Sequence, residues 1–132
     1  MLSEQHLFVY GTLKRGQRNA FRLQRLGGRW RKARVHGRLF KHGVLGTQGY
    51  PALILSAQIT SAWVNGYVFS AKTLAKHWPV LDAFEGAGYR RVSTKVALVS
   101  GSNIQAYVYV PAYEKSIKAS TKAQNCKSNG HA

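Results

Sequence analysis

Acidic residues are scarce in this sequence. Glu4, Asp82, Glu85 and Glu114 are the four carboxylates of a chain that carries 20 Lys and Arg, for a formal net charge of +16. The search for a catalytic carboxylate therefore has four starting points. The charge surplus points to anionic partners: nucleic acid, a membrane surface or acidic metabolites. Cysteine is nearly absent. Cys126 alone cannot form an internal disulfide, which predicts a cytoplasmic setting, and its place in a polar C-terminal stretch gives no basis for a thiol nucleophile. No apolar run approaches the roughly 18 residues of a membrane span. The start, Met1 to His6, has no basic patch followed by an apolar core, so no secretory leader is expected. His6, His36, His42, His77 and His131 show no metal-ligand spacing. Phosphate-loop, dinucleotide and nucleophile-elbow fingerprints are missing. No metal and no cofactor are expected.

What is present is enough apolar surface for a core. Hydrophobic residues make up 45% of the 132 positions and aromatics 11%, which argues against global disorder. One domain is predicted over 1–113, followed by a basic, flexible tail over 114–132 that carries +3 and lacks periodicity. The body keeps +13, and 11 of the 20 cations fall between Lys14 and Lys41 with no acid among them.

Leu7 to Tyr10 is an apolar run ended by Gly11, the pattern of a buried first strand. Asn19 to Leu26 has helical spacing, with Asn19 as its cap. Arg31 to Phe40 and Ala52 to Leu55 read as strands around a Gly-rich turn, and Trp63 to Phe69 as another. A helical stretch follows from Lys72. Pro79 interrupts it and starts a second helical turn through Leu81 and Phe84, which Gly86 and Gly88 stop. Arg91 to Val99 and Ile104 to Val110 complete the strands across a Ser-Gly-Ser-Asn turn. The fold class is α+β: a mixed, strongly curved, barrel-like sheet with a few short helices. Trp30, Trp63, Tyr67, Trp78, Tyr107 and Tyr109 are either core or a stacking platform beside the basic surface.

Two segments could carry chemistry. In Phe8-Val9-Tyr10-Gly11-Thr12-Leu13 a buried strand runs into a Gly turn ahead of a helix. Successive N–H groups there can cradle a carboxylate or phosphate; the alternative is an ordinary strand end. In Leu81-Asp82-Ala83-Phe84-Glu85-Gly86-Ala87-Gly88-Tyr89-Arg90-Arg91, Glu85 ends an apolar-faced helical turn. The negative helix end and the apolar Phe84 both push its pKa up, toward a general base. The alternative is a surface ion pair with Arg90 or Arg91. Asp82 is expected to face outward.

Together, F-V-Y-G-T-L and L-D-A-F-E-G-A-G-Y-R-R some 70 positions later resemble the γ-glutamylcyclotransferase family, in its small single-domain branch, over about residues 6–111. The resemblance implies a small barrel-like sheet. It implies a pocket in which Tyr10, Gly11, Thr12 and Leu13 bind the substrate's α-carboxylate and Glu85 acts as general base and acid, with Tyr89 and Tyr107 as weaker substrate-binding candidates. The implied partner is a small γ-glutamyl amide or peptide, cyclised to 5-oxoproline. Neither the +16 charge nor the tail belongs to the family pattern. A different class stays open beside it: a non-catalytic module on the same fold that binds nucleic acid or another polyanion, or a small molecule.

Overall fold

The computed structural model describes residues 5–10, 16, 19–56 and 62–112. The expected tail over 114–132 lies outside them. Six strands form: β1 (His6–Val9), β2 (Arg29–Phe40), β3 (Ala52–Leu55), β4 (Trp63–Ser70), β5 (Tyr89–Leu98) and β6 (Asn103–Pro111). Helix α1 (Phe21–Gln24) is a single turn. Helix α2 (Trp78–Glu85) follows a 3-10 turn at Leu74–His77.

The strands are ordered β3-β2-β4-β1-β6-β5, and β5 returns to pair with β2. Five strands thus close into a barrel, with β3 appended to β2. The β1–β6 pair is parallel and the other pairs are antiparallel, so the barrel is mixed. This is the curved α+β sheet that the strand pattern predicts.

Alternation along each strand sorts residues into two cores. Phe8, Ala33, Val35, Val64, Val68, Val96, Leu98, Ala106, Val108 and Val110 come from all five barrel strands and fill the interior. Residues one position away on β1, β4 and β6, including Leu7, Val9, Phe69 and Tyr109, point outward and meet Leu23, Leu74, Trp78 and Leu81 from the helical segments. The helices therefore cover one flank of the barrel. On the outward face of β2, Lys32, Arg34 and Arg38 are exposed.

One expectation needs correction. The helix expected over Asn19 to Leu26 shrinks to one turn, with Ala20 and not Asn19 at its N-cap. Three-residue closures bracket it: Arg22 N–H to Asn19 O, and Leu26 N–H to Leu23 O. Such tight turns do not extend into a regular helix. Of the six aromatics, Trp30, Tyr67, Trp78, Tyr107 and Tyr109 pack into the outer core, whereas Trp63 is 40% exposed. Among the described residues no helix is long and apolar enough to cross a membrane.

Phe8 is 1% exposed at the centre of the interior, its ring against Gly66 of β4. Phe8→Ala is expected to destabilise the domain by about 3–5 kcal/mol, because a narrow barrel cannot collapse onto the cavity. Urea unfolding measures this; a loss below about 1 kcal/mol would mean that the interior is not packed as described.

Candidate active site

The site is assembled at one end of the barrel, where β1 and β6 finish, β5 begins and the loop over 41–51 joins β2 to β3. Helix α2 delivers its acid there. Pro79 in the first turn is compatible with a helix start, and buried Trp78 and Leu81 anchor the helix on the sheet. Gly86, at φ +86°, then turns the chain in a conformation other residues rarely adopt. Glu85 is thereby left at the helix end.

The next turn is clamped against the 41–51 loop. A Cβ on Gly88 would lie 2.1 Å from the Gly46 carbonyl oxygen, so only glycine allows this approach. The Tyr89 hydroxyl donates to the Pro51 carbonyl at 2.5 Å. Within the loop, Thr47 is buried and its Oγ1 accepts the Val44 N–H at 3.0 Å. Tyr10, just past β1, spans the barrel mouth. Its hydroxyl donates to the Tyr109 carbonyl at 2.5 Å and accepts the Leu53 N–H at 3.3 Å, tying β6 to β3.

Burial pushes the Glu85 carboxyl up to about 7. Among the described residues no hydrogen bond or ion pair reaches it. The three tyrosines around it are also raised, first by burial, and in each case the Glu85 charge adds to the shift. Tyr89 is pushed up to about 12, against the opposing effect of a hydrogen bond with Thr47. Tyr10, Tyr89 and Tyr109 thus stay neutral, and Glu85 is the group that exchanges a proton near neutral pH.

Of the two basic neighbours expected as partners of Glu85, Arg90 and Arg91, Arg91 is engaged elsewhere. Arg91 donates from Nε to Asp82 Oδ1 at 2.9 Å and from a terminal nitrogen to Oδ2 at 3.2 Å. Tyr109 donates its hydroxyl to the same Oδ1 at 2.6 Å. These contacts, led by Arg91, hold Asp82 below the usual carboxylate range. Asp82 is 43% exposed but is fixed by three donors, not simply outward-facing. The alternative in which Arg91 pairs with Glu85 is excluded by this geometry, because Asp82 and not Glu85 lies over Arg91 on the outer face of β5.

Glu85, Tyr10 and Tyr89 come together. Gly11, Thr12 and Leu13 lie outside the described residues. Tyr107 stands apart, edge-on to Trp78 at 5.3 Å, with the Arg91 guanidinium 4.6 Å from its ring centre. Sequence reasoning passed over Thr47 and did not single out Tyr109. The triplet spacing of Gly43, Gly46 and Gly49 marks a tightly turned loop around Thr47. The alternation Tyr107, Tyr109 puts two tyrosines on one face without saying which one reaches the acid. Among the described residues no three His, Cys, Asp or Glu side chains gather as a metal site.

A small closed mixed barrel with a neutral-range carboxyl at its mouth defines the class. The chain belongs to the γ-glutamyl cyclotransferase, AIG2-like family, whose sequence pattern matches residues 7–127 and so extends past residue 111 into the tail that was expected to lie outside it. A comparison with curated proteins gives no match. Among solved structures, YkqA from Bacillus subtilis is 27% identical, with a TM-score of 0.62 over 82% of this chain, which spans only 36% of that protein's length. An AIG2-like protein from Mus musculus is 26% identical, with a TM-score of 0.62 over 82% of this chain and 77% of its own. A structure described as a gamma-glutamyl cyclotransferase shares the fold at 21% identity, with a TM-score of 0.56 over 81% of this chain and 66% of its own.

The raised Glu85 pKa has a consequence for stability. In the unfolded chain the group titrates near 4.5, in the folded protein near 7. Between these values the unfolded chain releases a proton that the folded protein keeps, so stability falls as pH rises through this window. Glu85 is only partly buried, which trims the effect to about 1–3 kcal/mol above neutrality. Glu85→Gln should therefore match the parent's Tm near about pH 4.5 and exceed it by about 5 °C or more near about pH 8. A Tm difference that does not change with pH would place the Glu85 pKa at its ordinary value.

Proposed function

We propose that this protein cyclises a γ-glutamyl amide or peptide to 5-oxoproline and releases the amine. The observation that carries the reading is Glu85: a carboxyl pushed up to about 7 by burial, without a partner among the described residues, at the mouth of a barrel of this family. In the reaction the substrate's α-ammonium gives a proton to the Glu85 carboxylate. The freed nitrogen attacks the γ-carbonyl carbon, closing a five-membered ring. The ring nitrogen of the tetrahedral intermediate gives up its second proton to solvent, the intermediate collapses, the amide C–N bond breaks, and Glu85 returns its proton to the leaving amine. Gly11, Thr12 and Leu13, which the sequence pattern reads as a Gly turn, would with Tyr10 hold the α-carboxylate through backbone N–H groups and keep the chain bent for attack. Tyr10 and Tyr89 already donate their hydroxyl protons within the protein, so their part is to shape the pocket wall. Tyr107, against Trp78 and Arg91, is assigned a supporting place rather than a substrate contact. No step calls for a metal or cofactor, and a cytoplasmic setting suits a chain with one cysteine.

The test is release of 5-oxoproline, followed by mass spectrometry over γ-glutamyl dipeptides, γ-glutamylamines and glutathione. Activity should rise with pH through about 7 as Glu85 ionises. Glu85→Gln should lower the rate about 10²–10⁴-fold while the circular dichroism spectrum is retained. A folded Glu85→Gln protein with full activity would remove the carboxyl from the mechanism.

A second reading rests on a separate surface. Lys32, Arg34 and Arg38 are exposed on the outer flank of β2. The Arg34 guanidinium lies 4.1 Å from the Trp63 ring centre, and His36 stacks on Trp63 at 3.6 Å. We propose weak polyanion binding on this flank without sequence preference. Affinity for single-stranded DNA or RNA should fall about 10-fold or more between about 50 and 200 mM salt. Salt-independent binding, or none at low salt, would defeat this reading.

A further inference from the structure

The opposite end of the barrel holds a cleft of about 740 Å³ that the Glu85 chemistry does not use. It opens where β1, β2 and β6 begin and β4 ends. Strand β1 separates the two ends: His6 lines the cleft and Tyr10 reaches the Glu85 group. Four residues of strand span about 13 Å, so the two are distinct sites.

The cleft wall is cationic. Arg29, Arg31 and Lys72 contribute to it, and none of its lining residues is an acid. Arg31 donates a terminal N–H to Ser70 Oγ at 3.2 Å, but its Nε is buried and has no hydrogen-bond partner among the described residues. A buried guanidinium N–H without an acceptor is costly and rare in folded proteins. Ser70 also meets His6 Nδ1 at 2.6 Å, and both residues are buried. Burial, and then the Arg31 charge, hold His6 below its ordinary pKa, so the ring is neutral. Ser70 Oγ thus joins the Arg31 guanidinium to the His6 ring. Among the described residues, the cleft lining gathers Arg29, Arg31 and Lys72 with no acid to offset them. Leu26 and Ile104 add apolar wall.

We propose that this cleft binds a phosphate-rich small anion, either a free polyphosphate or the polyphosphate group of a nucleotide-sized organic molecule. A single carboxylate would leave most of the three fixed charges uncompensated, whereas a di- or triphosphate offsets them. Arg31 can engage phosphate oxygens through its terminal guanidinium nitrogens, with Arg29 and Lys72 adding positive charge at the flanks. The volume falls in the range of small-molecule sites, about 300–1,000 Å³.

The test uses the full chain and four probes: pyrophosphate, tripolyphosphate, ATP and uncharged adenosine, measured by calorimetry at about 150 mM salt. Tripolyphosphate or ATP should bind with a defined stoichiometry of one, and adenosine should not. Tighter ATP binding would point to an organic phosphate; equal or tighter tripolyphosphate binding would point to the free polyanion. Either order supports the site. Arg31→Gln should weaken binding about tenfold or more. Exposed Lys72→Gln tests the same wall without disturbing the interior, and should weaken it about threefold or more. The triple change of Lys32, Arg34 and Arg38 to Gln on the outer flank should change it by less than about twofold, and Glu85→Gln should not affect it. No binding by either polyphosphate would overturn the proposal. So would equal losses from the cleft and outer-flank variants, which would mean unspecific attraction to the net charge. Because the readout is binding, the result is independent of whether 5-oxoproline is formed.

Discussion

A short seam closes the barrel. Strand β2 meets β5 through Ala33 opposite Leu98 and Arg34 opposite Ala97, while its flanks pair with β4 and, farther along, β3. One 12-residue strand therefore contacts three others. Closure removes the free edges of β2 and β5 at this seam and turns the inward alternation of five strands into one interior. It also creates two ends with different fates. At one end, β2 continues past the seam and turns back through the 41–51 loop to β3, which gives the Glu85 turn a surface to dock on. At the other, β2 begins with Arg29 and Arg31 beside the end of β4, and cations ring an open cleft.

The Asp82–Arg91 pair decides the protonation of Glu85. In a chain with five cations for each acid, the ordinary fate of a carboxylate is to be paired. Asp82 and Glu85 are three residues apart on α2, close enough for one arginine to choose between them. Arg91 takes the two-pronged contact with Asp82 and lies over the rings of Trp78 and Tyr107, 4.4 and 4.6 Å from their centres. The aromatic bed and the Tyr109 hydroxyl fix both partners. Glu85, past them on the helix, has no partner among the described residues, and its burial moves the carboxyl toward neutrality. Asp82 acts at a distance from the chemistry by keeping a guanidinium occupied.

Much of this was legible in residue order. The alternation of β2 and β4, the exact span of β3 from Ala52 to Leu55, the restart of the helix at Pro79 and the stop at Gly86 follow from local rules. The family resemblance rests on Tyr10 to Leu13 and Leu81 to Arg91, and the family itself is now shown. The missing parts were choices between equivalent neighbours. Nothing local tells whether Arg90 or Arg91 faces α2, or whether Asp82 or Glu85 receives it; the register of β5 against β6 settles that, with Arg91 opposite Tyr109. The docking of Gly88 on Gly46 joins segments more than forty residues apart and leaves no periodic trace. Helix α1 was overestimated because Phe21, Leu23 and Leu26 have helical spacing even when the chain closes in tighter turns.

The large positive charge need not oppose the chemistry proposed for Glu85. Cations lower a carboxyl pKa, and a field from 20 of them would be expected to ionise this one. Their placement limits the effect. The cations around the far cleft are separated from the barrel mouth by a strand length of about 13 Å, beyond the screening length of about 8 Å at physiological ionic strength, and those on the outer flank of β2, including Arg38 toward the mouth, are exposed to solvent, whose high dielectric weakens their effect. Near the mouth, Arg91 is neutralised by Asp82. What remains at long range is a weak positive potential. It favours the approach of an anionic substrate over a cationic one and makes an α-ammonium easier to deprotonate once bound. Both effects act in the direction that an intramolecular aminolysis requires, while the short-range surroundings of Glu85 stay apolar enough to keep its proton affinity high.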